Sequence, residues 1–181
     1  TSNPKDLEKS SASKKSSWSS SVSVLAVPNS ASNLILVFPT INVGDDLNIS
    51  GGTFNGGSGT IDINDDFILS SGTFNSSTGA DTLFVGDDWT HTGGTFNHNN
   101  GTVVFDGGNA IINVNVTETF NNLTFNANDG DTKTISSGDT LIITGILTLS
   151  NGKVKTGTLE AQGDVVVGSG FDGDNAPLKF T

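Results

Sequence analysis

The sequence predicts an all-β fold, a parallel β-solenoid (β-helix) of short stacked rungs of about 20–22 residues, with an N-terminal extended arm. Three observations carry this expectation. The pair Asp45-Asp46 recurs as Asp65-Asp66 and Asp87-Asp88, at offsets of 20 and 22 residues. A Gly-Thr-Phe-Asn unit beginning at Gly52 recurs at Gly72 and Gly94 with the same two offsets. Helix signals are nearly absent, since alanine, glutamate and leucine are sparse. A fixed period of this length means that one unit is stacked on copies of itself.

Composition agrees. The 181 residues suffice for one domain with its own core. The apolar share is 33%, brought into the usual globular range only by the 23 glycines, so the core must be thin. Charged residues make up 15%, too few for a disordered polyelectrolyte. The net charge is -11 and all 8 basic residues are lysine, so no guanidinium fork is present to grip phosphate or a guanine edge, and nucleic-acid binding is excluded. Without cysteine there are no disulfides and no thiolate chemistry. The chain has no methionine and opens on Thr1, so it is either a processed precursor or a piece of a longer chain; a removed export signal fits and points to an extracellular or cell-surface location. Its longest apolar run, at residues 33–38, is far short of the 18 or so residues that a membrane-crossing helix requires.

In chain order, residues 1–40 form the arm and 41–181 the solenoid. The leader is serine-rich and holds half the lysines (Lys5, Lys9, Lys14, Lys15). Within it, Asn3 as cap and Pro4 at the first helical position offer a short helix as far as Lys9. Residues 21–27 (SVSVLAV) alternate as a strand does, with Val22, Val24, Leu25 and Val27 apolar, and Pro28 closes them. Leu34, Ile35, Leu36, Val37 and Phe38 form a continuous apolar run closed by Pro39, the pattern of a strand buried on both sides.

Each repeat then reads as three strands: a first at residues 47–49, 67–69 and 89–91, the Thr-Phe-Asn strand, and a third at 61–63, 83–85 and 103–105. Glycine, asparagine and aspartate mark the turns. The two extra residues of the second repeat, Ala80-Asp81, fall at a turn. Strands this short do not persist alone, but stacked at about 4.8 Å they bond to the rungs above and below. The register places Phe54, Phe74 and Phe96 in one inward ladder and Ile63, Val85 and Phe105 in another. It places Asn55, Asn75 and Asn97 in a third, where each side-chain amide donates to the next rung's carbonyl. Beyond Asp106 the pattern loosens, yet short apolar strands continue, and the coil is expected to reach about residue 168.

The strings GGTFNHNNGTVVFDGG, ETFNNLTFNA and GILTLSNGKVKTGTLEAQGDVVV resemble the repeats of bacterial secreted β-solenoid proteins, the filamentous-haemagglutinin-like and autotransporter-adhesin-like families, over roughly residues 41–168. That resemblance implies a stackable rung and carries no catalytic residues with it.

Two groups of residues invite a chemical reading. Asp45, Asp46, Asp65, Asp66, Asp87 and Asp88 stack acidic pairs one rung apart, which calls either for turn hydrogen bonds or for a bridging calcium ion. The glycine-aspartate nonapeptide of calcium-binding β-rolls is absent. His91 and His98 occur only in the third repeat and read as a surface strand position and a solvated turn, with a metal site the lesser reading. A polysaccharide-active β-helix enzyme needs a carboxylate pair that breaks the repeat at one place, whereas these aspartates keep the repeat. The chain is therefore expected not to be an enzyme.

A solenoid's ends present unpaired backbone groups over an apolar core, and the arm holds two β-competent strands. The sequence thus points to an exported structural subunit of an extracellular filament. Such subunits would assemble head to tail, with Val22, Val24, Leu25, Val27 and residues 34–38 as the polymer interface. The alternative is a monomeric adhesin or spacer module of a cell-surface protein, with surface glycans as partner.

Overall fold

The computed structural model of the chain describes residues 33–35 and 40–181 apart from residue 174, with side chains from residue 40 onward. The proposed helix at Asn3 and the arm residues Val22, Val24, Leu25, Val27, Leu36, Val37 and Phe38 lie outside the described residues. The described residues form a parallel β-solenoid of about 7 turns without a helix. All strands join one 16-stranded sheet, and every strand pair in it is parallel.

Each turn has three faces. The first is built from β2 (Thr40–Val43), β4 (Thr60–Ile63), β6 (Thr82–Val85), β9 (Thr102–Phe105), β12 (Asn122–Asn126), the start of β14 (Leu147–Ala161) and β15 (Val165–Gly173). The second runs through the first halves of β3 (Leu47–Asn55) and β5 (Phe67–Asn75), then β7 (Trp89–His91), β10 (Ala110–Val114) and β13 (Thr132–Ile143). The third carries β1 (Asn33–Ile35), the ends of β3 and β5, and β8 (Thr95–Asn97). It resumes with β11 (Thr117–Phe120), the ends of β13 and β14, and β16 (Leu178–Phe180).

The offsets of 20 and 22 residues reappear as backbone register, Leu47 beside Phe67 and Phe67 beside Trp89. The first and Thr-Phe-Asn strands, expected as separate elements, run together as single strands in the first two repeats. A glycine bend shifts their register between residues 50 and 53. Gly72 sits in that bend at φ 82°, and a Cβ there would meet the Gly51 and Gly52 backbone at 2.6 Å, so both conformation and close approach require glycine.

The coil also runs past residue 168, since β15 and β16 both pair with β14. Rung length varies there: Leu123 to Leu147 spans 24 residues and Leu147 to Val165 only 18, which is why the repeat fades from the sequence while the stacking persists. Asn33–Ile35, expected in the arm, align with residues 53–55 of the same chain and so extend the third face by one strand.

Inside, alternate residues of most strands form a continuous apolar core. One column runs Phe54, Phe74 and Phe96. Phe120 continues it with its ring 5.7 Å from that of Phe96, followed by Ile143, Ala161 and Phe180. Phe54 and Phe74 lie 5.3 Å apart and Phe74 and Phe96 6.0 Å apart. The first face carries Ile63, Val85, Phe105 and Phe125 in the same manner, the last two rings stacked at 5.7 Å.

Candidate functional site

Three places combine chemistry with an exception to the stacking rule. The first is the corner that carries the aspartate pairs. Its second aspartates form a ladder: Asp46 accepts from the Asp66 amide at 3.3 Å, Asp66 from the Asp88 amide at 2.9 Å, and Asp88 from the Ile111 amide at 2.7 Å. The side chain thus reaches one rung onward and ties the turns together. The ligand atoms of Asp45, Asp46 and Asp65, and again of Asp65, Asp66 and Asp87, lie within 4.8 Å of one another, close enough to share a cation. Partial burial, followed by repulsion from neighbouring aspartates, pushes the carboxyls of Asp65 and Asp87 up; burial likewise raises Asp66 against the hydrogen bond that holds it down.

Beside this corner lies Lys133, at 0% exposure in an inward position flanked by Ala110 and Val154. Its Nζ has no hydrogen-bond partner among the described residues. Burial lowers its pKa against the pull of Asp87, Asp106, Asp131 and Asp88. The parity of β13 turns the lysine of Thr132-Lys133-Thr134 inward.

The asparagines form the second feature. Asn75 donates to the Asn55 Oδ1 and Asn97 to the Asn75 Oδ1, each at 2.6 Å. The donation runs side chain to side chain toward the preceding rung, and not to the next rung's carbonyl as the sequence led one to expect. The column stops at Asn97, because Asn121 one rung on donates instead to the Asn100 carbonyl at 3.1 Å.

There the third face is split. β8 pairs with β5 and β11 pairs with β13, but β8 and β11 do not pair with each other. Two inward apolar columns are interrupted on adjacent rungs. His91 occupies the position of Ile49, Leu69 and Val114, and Glu118 that of Leu141, Leu159 and Leu178. The His91 Nδ1 and the Glu118 Oε2 form a hydrogen-bonded ion pair with side-chain exposures of 14% and 8%. The hydrogen bond that His91 donates to Glu118 raises the His91 pKa above 6.5 despite burial. His91 is therefore not the surface residue that the sequence suggested. The signal that could have found Glu118 is its register, hidden because this rung is lengthened by the Asn115-Val116 corner.

The pH dependence follows from these directions. A carboxyl whose folded pKa is raised costs nothing below the ordinary value of 3.8 and carries its full penalty at neutral pH. His91 stabilises the fold below 6.5, and its contribution is lost as pH rises through its raised folded value. Lys133 works in the alkaline range, where its share is recovered only as pH rises toward 10.5. The melting temperature at about pH 5 is expected to exceed that at about pH 8 by a few degrees at fixed ionic strength. Calorimetry at the two pH values checks this, and equal or lower melting at pH 5 would refute it.

The third feature is the last rung. Val167 and Phe180 are 61% and 67% exposed and Leu178 is 38% exposed, although each continues a column that is buried in the preceding rungs. Both β15 and β16 pair on one side only, leaving an open apolar edge. At the other end, Val43 of the first rung is only 5% exposed.

No family model, curated protein or solved structure matches the chain.

Proposed function

We propose that this protein is an exported structural subunit of an extracellular filament. Its copies stack head to tail, with the arm of one subunit added to the last rung of its neighbour. The observation that carries this reading is the open last rung, which exposes Val167, Leu178 and Phe180 in register with the core columns. Strands in every rung are parallel, so a second copy laid on this edge in the same orientation continues the sheet without reversal.

The arm has the spacing of one further rung. Val22 and Val24 precede Ile41 and Val43 by 19 residues, and Leu34 precedes Phe54 by 20, matching the repeat. Residues 21–38 of one subunit thus supply a first-face strand and a third-face strand to cover the Val165–Gly173 and Leu178–Phe180 edges of the next. A basic leader on an acidic body favours the same contact. The low exposure of Val43 and the in-chain alignment of Asn33–Ile35 favour a second reading, a monomeric adhesin or spacer whose arm closes its own first rung.

Sedimentation distinguishes the two. The full chain is expected to form polymer that grows with concentration, and a chain lacking residues 1–32 to sediment as a single small species with the same β signal in circular dichroism. Equal polymer in both would remove the arm from the interface.

A further inference from the structure

The split between β8 and β11 is the one place among the described residues where three exceptions coincide. The third-face ladder is broken, two apolar columns carry charged residues, and three of the four non-glycine residues with positive φ flank it, namely Asn99 at 50°, Asn100 at 59° and Val116 at 74°. A β-branched residue at such a φ is strained, and the 65% exposed side chain of Val116 gains little burial in return. Burying an ion pair where neighbouring rungs place leucine costs stability as well. Strain and buried charge kept together at one opening mark a site, not a better rung.

The opening is a cavity of about 570 Å³ whose lining includes Phe96, Asn97, His98, Thr117, Glu118 and Thr119. Its chemistry is specific. Phe96, half-buried where Phe54 and Phe74 are fully buried, offers a ring to the cleft. Asn97 is the last amide of its column, so its acceptor oxygen has no following amide in the ladder. The His98 Nδ1 accepts from the Asn100 amide at 3.1 Å, which fixes Nε2 as a donor. Glu118 is held by His91 through Oε2 and accepts the Thr119 amide at Oε1 at 3.3 Å, so its carboxylate is oriented before any ligand arrives.

We propose that this cleft binds a neutral oligosaccharide, with the apolar side of one sugar ring against the exposed edge of Phe96 and its hydroxyls hydrogen-bonded by Asn97, His98, Thr117, Thr119 and Glu118. Several donors and acceptors converge beside one apolar ring, which is what a hydroxyl-rich ring with an apolar face requires. The carboxylate and the chain's net charge of -11 select against acidic glycans. Phe96 and Phe120 are already 5.7 Å apart, so the split has no room for an inserted peptide strand. The cleft lies on the side of the coil, and the proposal holds whether the subunit is free or assembled.

The test is titration calorimetry and NMR of the full chain with cellohexaose and chitohexaose, with polygalacturonate as the acidic control. Saturable binding of at least one neutral hexasaccharide is expected, half-saturated at or below about 1 mM, with shifts confined to Phe96–Asn100 and Thr117–Thr119. His91→Leu with Glu118→Leu restores the apolar columns; it should raise the melting temperature and weaken binding at least tenfold. Thr117→Ala, an exposed rim change, should weaken binding severalfold at unchanged melting temperature. Failure of both neutral sugars to bind, preference for polygalacturonate, or full binding by the double variant would overturn the proposal.

Discussion

Phe74→Ala is expected to destabilise the chain by about 3–5 kcal/mol, a large share of the roughly 5–15 kcal/mol typical of a whole domain. Phe74 is fully buried and meets Phe54, Phe67 and Phe96 at ring separations of 5.3, 4.9 and 6.0 Å. It thus joins three consecutive rungs and two faces. Truncation leaves a cavity that the coil cannot close, because its neighbours are fixed by backbone bonds on both sides. Solenoid stability is a sum of nearest-neighbour contacts, so loss at this junction uncouples the first rungs from the rest. Phe84→Ala is the matched control, since Phe84 lies ten residues on but points outward from β6, flanked by the buried Leu83 and Val85. It should cost less than about 1.5 kcal/mol. Urea unfolding of the two variants checks the difference; equal losses would mean that inward and outward positions have been misassigned.

Charging the open edge is the second large effect. Val167→Asp with Phe180→Asp is expected to leave monomer stability within about 0.5 kcal/mol of the parent chain, because both side chains are exposed. Assembly, by contrast, should need at least tenfold more protein. Each subunit contact would bury two unpaired carboxylates where the parent buries a valine and a phenylalanine, a penalty of several kcal/mol. Ile111→Asp provides the contrast: Ile111 is 52% exposed but lies on β10 in the middle of the coil, and its replacement should leave assembly unchanged. If Ile111→Asp impairs assembly as much as the end variants, the contact is lateral and the head-to-tail arrangement is wrong.

Much of the architecture was legible because stacking imposes like residues at a fixed offset. Asp46, Asp66 and Asp88 announce the corner in sequence, and the structure shows the physical reason, a carboxylate reaching the next rung's amide. The Asn55, Asn75 and Asn97 repeat has the same origin in an amide column. Where rungs change length the signal disappears although the fold continues. Leu123, Leu147 and Val165 lie in one column at offsets of 24 and 18, and no fixed period finds them. The His91–Glu118 pair is hidden for the same reason, its partners 27 residues apart across a lengthened rung. Lys133 shows a further limit, since alternation alone does not say which face of an isolated Thr-Lys-Thr strand points inward.

The most direct test of the account is electron microscopy of the purified full chain at neutral pH. Seven rungs at about 4.8 Å, with or without one contributed by the arm, give a subunit length of about 34–38 Å along the coil axis. The account predicts unbranched fibres with that axial repeat and a 4.8 Å layer spacing along the fibre. Discrete rods of one subunit length at all concentrations would contradict it and leave the capped cell-surface module as the reading that stands.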